Sequence, residues 1–236
     1  MNVKLSATIQ RAPAVLSAVL LLTLFCTMRV ADAGAGEITG QVIVLNREGQ
    51  PLTRLDHAVV YIEGVETPPP PEPAVMDQKN KEFLPRLLPV VKGQEVRFLN
   101  SDRVQHNVFS PHEEEPFDLG LYPSGESKSI KLKSLRRHKV YCNLHKSMVA
   151  DIIVLPNPYF GLTDEAGRYR IQGLPEGDYV LRAWHIFGGA EQKPVRVGTP
   201  AVTVDFTLRS AQSTHDILEH ADKSGQTYKS TDSESY

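Results

Sequence analysis

Val140-Tyr141-Cys142-Asn143-Leu144-His145-Lys146-Ser147-Met148 holds a thiol, an imidazole and a thioether in one short run, at the spacing C-x2-H-x2-M. Soft sulfur donors together with imidazole select copper, and two histidines, a cysteine and a weak axial methionine make an electron-transfer copper site. The run contains a single histidine, so the second must come from elsewhere. Upstream, Asn100-Ser101-Asp102-Arg103-Val104-Gln105-His106-Asn107-Val108-Phe109 reads as a strand-like segment with His106 in its middle. Side chains alternate across a strand, so Val104, His106 and Val108 are expected on one face, with His106 turned to the apolar side. His106, Cys142, His145 and Met148 are the expected ligands of one copper ion per chain.

The surrounding sequence alternates in the same way. In Gln94-Glu95-Val96-Arg97-Phe98-Leu99, Val96 and Phe98 share a face. In Ser127 to Lys133, Ile130 and Leu132 point inward, with Lys131 and Lys133 outward. Val140 and Cys142 again share a face, and a strand over Ala150–Leu155 follows the ligand loop. Asn100 and Asn107 flank the site, and one of them is expected to steady the Cys142 loop. Taken singly, each ligand has a plainer role: His106 at a core edge, Cys142 as a small buried hydrophobe, Met148 as core filler, His145 in an exposed loop. The combined spacing favours metal. Zinc would leave the methionine unused.

The N-x-D-x-x-x-H-N-V segment at Asn100–Val108 and the Y-C-N-L-H-K-S-M segment at Tyr141–Met148 resemble the cupredoxin family, with a short ligand loop like that of amicyanin. The resemblance covers roughly a third of the chain. It implies a Greek-key β-sandwich and a type 1 copper centre bound by the same four residues. Leu144 stands where the family usually has proline between Cys and His, which removes no ligand.

The chain has 236 residues and a formal net charge of -2, which gives no reason to expect nucleic acid as a partner. Seventeen prolines and sixteen glycines lie between short alternating runs, an all-β pattern. Lys4 and Arg11 precede an apolar core over Ala12–Cys26, and Ala31-Asp32-Ala33 gives an A-x-A cleavage pattern. Residues 1–33 are therefore an expected signal peptide, with a periplasmic or secreted mature chain from Gly34. The apolar run is shorter than the ~20 residues needed to span a bilayer, so no stable membrane span is expected after cleavage. Of the two cysteines, cleavage removes Cys26 and leaves Cys142 alone in an oxidising compartment. Metal ligation would occupy that thiol.

A second unit is expected around the first. Thr163-Asp164 to Gly167 and Tyr169, a T-D-x-x-G-x-Y pattern, precedes Leu174-Pro175-Glu176-Gly177-Asp178-Tyr179, an L-P-x-G-x-Y pattern. Both resemble the later half of a carboxypeptidase-regulatory-like (transthyretin-like) sandwich. Gly40-Gln41-Val42, Gly49-Gln50-Pro51-Leu52 and Val60-Tyr61 resemble its early half. The resemblance implies a cupredoxin domain (74–156) inserted into a split sandwich (37–66 and 159–208). The crossings would fall at Thr67–Pro73, whose prolines favour a stiff spacer, and at Asn157-Pro158. Two domains in plain succession is the alternative. Residues 209–236 are polar and expected to be disordered, and His215 and His220 there carry no specific expectation.

These readings point to a non-enzymatic, periplasmic one-electron carrier with an unidentified redox protein as partner. Tyr141 and Asn143, not histidines, flank Cys142, so oxidase chemistry is not expected. Leu144 and Met148 would form the docking patch, and Lys128, Lys131, Lys133, Arg136, Arg137 and Lys139 could steer an acidic partner. The alternative is copper delivery or a partner-binding module without redox turnover, with the outer sandwich contacting protein or glycan.

Overall fold

A computed structural model describes residues 36–52, 55–187, 189–210 and 223; the expected signal peptide and nearly all of the expected tail lie outside these residues. The described chain is all-β and contains no helix. It begins with β1 (Gly36–Leu45) and β2 (Ala58–Glu63). It continues through β3 (Ala74–Lys79), β4 (Glu82–Leu84), β5 (Leu87–Val91), β6 (Glu95–Asn100) and β7 (His106–Ser110). Next come β8 (Phe117–Tyr122), β9 (Ser127–Lys131), β10 (Arg137–Tyr141) and β11 (Val149–Leu155). The last strands are β12 (Phe160–Leu162), β13 (Arg168–Leu174), β14 (Gly177–His185), β15 (Ala190–Val197), β16 (Val202–Thr203) and β17 (Phe206–Arg209).

Two sheets form from the central strands, in the orders β5-β11-β10-β7-β8 and β4-β3-β6-β9. Their facing sides bury Met76, Val96, Phe98, Val108, Val140, Cys142, Met148 and Ile152 in one core. The first and last strands form the other two sheets, β13-β1-β16 with β17 also on β1, and β12-β2-β14-β15. Between them lie Ile38, Val42, Val60, Ile62, Ile171, Leu181 and Phe206. The turn motifs of this outer sandwich are local hydrogen-bond devices. The Asp164 carboxylate accepts N–H from Ala166 and Arg168, and the Thr163 hydroxyl donates to the Leu55 carbonyl and accepts from the Ala58 amide. Gly167 has φ 78°, and a β-carbon there would collide with the Val42 carbonyl oxygen, so only glycine fits.

The sandwiches touch through a third apolar layer. Val59, Leu87, Ile153, Leu155 and Ile186 are buried in it, with Tyr61, Phe160 and Trp184 packed against them. Phe109, Tyr141 and Val149 extend it, with Phe187 against them. This explains the unbroken apolar run of β11, which buries all seven residues: Ala150, Ile152 and Val154 face the inner core, and Val149, Ile153 and Leu155 face the outer sandwich. The crossings between the sandwiches are fastened together. Thr67 N–H donates to the Pro156 carbonyl at 3.0 Å, and the buried Asn157 amide donates to Ile62 O at 3.0 Å and Val65 O at 2.6 Å.

Two local expectations are corrected. Val104 is 39% exposed and precedes β7, so it does not share the His106 face; the strand begins at His106 itself. Of the basic residues of 128–139 named as a possible steering patch, two are engaged within the chain. Lys128 Nζ donates to the Leu119 and Leu121 carbonyls, and Arg137 pairs with the buried Asp151 carboxylate at 2.5 Å.

Candidate metal centre

Two strand ends and one tight loop build the site. β7 starts with His106, and its ladder with β8 shifts register between Asn107 and Phe109. Such irregularities re-aim side chains beside functional sites. Cys142 follows β10 on the inward face begun by Val140. The loop to β11 is closed by Met148 N–H to His145 O at 3.1 Å and Cys142 N–H to Met148 O at 3.3 Å. That closure brings His145 back over Cys142.

His106 Nδ1, Cys142 Sγ and His145 Nδ1 form a triangle with edges of 3.1, 3.8 and 3.6 Å. A metal at its centre, with imidazole and thiolate bonds of about 2.0 and about 2.3 Å, would set edges of about 3.5 Å between nitrogens and about 3.7 Å from nitrogen to sulfur. The donor atoms therefore fit one ion. They are the one metal-competent group of His, Cys, Asp and Glu among the described residues. His106 and Cys142 are fully buried and His145 is half-buried. The Met148 side chain is fully buried in the same core as Cys142. The structure thus gathers three of the expected ligands by their donor atoms, and it buries the Met148 side chain in the core that also holds Cys142.

Asp102 sets the tautomer of His106. Its Oδ2 lies 2.8 Å from His106 Nε2, so Nε2 carries the proton and donates it. His106 Nδ1 is left with its lone pair toward Cys142 and His145. His145 Nδ1 lies 3.1 Å from that nitrogen. Burial would raise the Asp102 carboxyl, but donation from the Lys81 amide, the His106 ring and the Asn80 amide outweighs it and holds the group below the usual range. Asp102 was not singled out as a functional residue by sequence reasoning, although its signal was the D-x-x-x-H spacing.

Burial also pushes the Cys142 thiol up, opposed by the amides of Asn107, Leu144 and His145. Leu144 N lies 3.4 Å from Sγ. Asn107 therefore steadies the cysteine through its backbone, while its side chain donates to Asp118 at 2.6 Å. Asn100 serves the other ligand, donating to Val104 O at 2.9 Å and accepting from the Asp102 amide at 3.1 Å. Leu144, beside the half-buried His145, is 46% exposed.

No family model matches the chain, and no curated protein matches it. Its structural neighbours are cupredoxins at low coverage. A copper-containing nitrite reductase from Thermus scotoductus aligns over 37% of this chain and 23% of its own length, at 22% identity and a TM-score of 0.35. A purple cupredoxin from Nitrosopumilus maritimus aligns over 35% of this chain and 99% of its own, at 20% identity and a TM-score of 0.32. An oxidized variant of amicyanin aligns over 41% of this chain and 98% of its own, at 17% identity and a TM-score of 0.34. The chain spans under a quarter of the nitrite reductase.

Proposed function

We propose that this protein binds one copper ion in a type 1 site and serves as a one-electron carrier in an exported, periplasmic setting. The observation that carries the reading is the triangle of His106 Nδ1, Cys142 Sγ and His145 Nδ1, each edge within about 0.4 Å of the separation a trigonal ion sets. Copper held there by His106, Cys142 and His145, with Met148 as a further, weak donor, would supply a Cu(I)/Cu(II) couple.

The chain's own residues account for the rest. Asp102 holds His106 in the ligating tautomer. Burial raises the Cys142 thiol and the amides around Sγ partly offset it, so a bound cation would be what holds the thiolate, and the core packs tightly around Cys142 and Met148. His145, half-buried beside exposed Leu144, is the edge through which electrons leave. The opposite side, toward Tyr141, is covered by Phe187 of the outer sandwich. The outer sandwich, with its carboxypeptidase-regulatory-like turn motifs, is read as a support that leaves the His145 edge as the docking face for a redox protein.

The test is electron self-exchange of the copper-loaded protein, followed by NMR line broadening on mixing the two oxidation states. Rapid exchange, slowed by Leu144→Glu, is the expected result. Slow exchange, with transfer of copper to an apo-acceptor, would replace the carrier reading with copper delivery.

A further inference from the structure

Lys223 follows the outer sandwich in the chain, yet it binds beside the metal centre. Its Nζ donates to the Asp118 carboxylate of β8 at 2.8 Å, and its backbone N–H donates to Asn143 Oδ1 at 3.1 Å. Asn143 is the residue directly after Cys142, in the loop that carries His145. Asp118 leads to the same sulfur from the other side. Its Oδ1 accepts the Asn107 side-chain N–H at 2.6 Å and the Gly120 amide at 2.8 Å, while its Oδ2 takes Lys223. The backbone N–H of Asn107 in turn donates to Cys142 Sγ.

Asn107 depends on Asp118 for its orientation. It is 1% exposed, and its Oδ1 is buried without a hydrogen-bond partner. Nδ2 to Asp118 is its one side-chain hydrogen bond among the described residues. The ladder shifts register between Asn107 and Phe109, so regular pairing is broken beside the amide that meets the sulfur. Lys223 thus reaches both chain segments next to Sγ: β7 through Asp118 and Asn107, and the ligand loop through Asn143. The Lys223 and Asp118 side chains are largely exposed, so their pair adds little to global stability. What it fixes is local geometry.

We infer that Lys223 is a positioning residue for the metal centre: by tying Asp118 to Asn143 it sets the hydrogen bond from the Asn107 amide to Cys142 Sγ. The inference rests on the copper reading above. Hydrogen bonds around the cysteine sulfur tune the potential of a copper site, because they draw negative charge off the thiolate and so favour Cu(I). Partners that hold a ligand's own hydrogen-bond donors act on the metal without touching it.

The test compares the full mature chain with Lys223→Met, Lys223→Arg and Lys92→Met. The last removes a similarly exposed ion pair, with Glu66, elsewhere on the surface. In the copper-free chain the backbone amide resonances of Asn107 and Asn143 are followed by NMR. In the copper-loaded chain the reduction potential is measured by voltammetry. Lys223→Met is expected to move both resonances and to lower the potential, with Tm unchanged. Lys223→Arg, which keeps the charge and the donors, and Lys92→Met are expected to stay at native values. Unmoved resonances in Lys223→Met, or moved resonances with a native potential, would overturn the proposal. A native chain that gives no blue copper spectrum would instead overturn the copper reading. The copper-free arm needs no metal, and it separates that failure from a Lys223 that does not reach the sulfur.

Discussion

Asp102→Asn isolates the group that makes His106 a ligand. In the native chain the Asp102 carboxylate accepts three N–H groups: Asn80 at 2.7 Å, Lys81 at 2.8 Å and His106 Nε2 at 2.8 Å. Asparagine keeps the shape but has one accepting oxygen and a donating NH2. Asn80 N–H meets Oδ1, whereas Lys81 N–H and His106 Nε2 share Oδ2, so either placement of the amide sets its NH2 against an N–H. With the NH2 at the Oδ2 position His106 Nε2 loses its acceptor, becomes the acceptor itself, and the ring proton moves to Nδ1. That places a proton on the lone pair aimed at Cys142 and His145. Loss of such an outer hydrogen bond lowers metal affinity by about 10–100-fold, or about 1.4–2.7 kcal/mol. The assay is competition for Cu(I) against a colorimetric chelator, with thermal unfolding of the copper-free variant as the folding control. A folded variant with affinity within about twofold of the native protein would refute the tautomer argument.

Other consequences are equally direct. His185 is 1% exposed and satisfied as a neutral ring, donating from Nε2 to Asp56 O and accepting the Phe187 amide at Nδ1. Burial pushes its pKa down to about 4 from 6.5, so the unfolded chain binds the extra proton first. Stability of the copper-free protein should be intact above about pH 6.5 and fall by about 3 kcal/mol as pH drops toward 4, measured by urea unfolding; a flat profile in that window would contradict the assignment. Leu155→Ala, in the layer between the sandwiches, should cost about 2–5 kcal/mol without altering copper binding, whereas a loss below about 1 kcal/mol would mean that the layer is not a true core. Lys223 binds Asp118 at 2.8 Å, and its amide donates to Asn143 Oδ1 at 3.1 Å. Burial alone would raise Asp118, but Lys223, Gly120 and Asn107 hold it low, so Lys223→Ala should raise its pKa in an NMR titration; an unchanged midpoint would remove the contact.

The candidate group of His106, Cys142 and His145 was legible because copper chemistry demands unusual residue types at a short spacing, and because inward alternation marks Cys142 beside Val140. Val60-Tyr61, picked out with the early half of the outer sandwich, lies in β2. What stayed hidden depends on contacts between distant parts of the chain. Nothing local to Arg137 says that it lies over Trp184 and pairs with Asp151, so it was read with the rest of the basic run as able to steer an acidic partner. Val104 read as strand because alternation continues past the point where Asn100 Nδ2 captures its carbonyl. Asp102 was visible as a residue but not as a partner, since a four-residue spacing outside a helix places nothing until the loop is known.

The most direct measurement is a visible and EPR spectrum of the chain from Gly34 with one equivalent of Cu(II), beside Cys142→Ser. An intense blue thiolate-to-copper band and a narrow copper hyperfine splitting, both lost in Cys142→Ser, are the predicted result. A pale spectrum, or one that the substitution leaves unchanged, would contradict a copper site built on His106, Cys142 and His145.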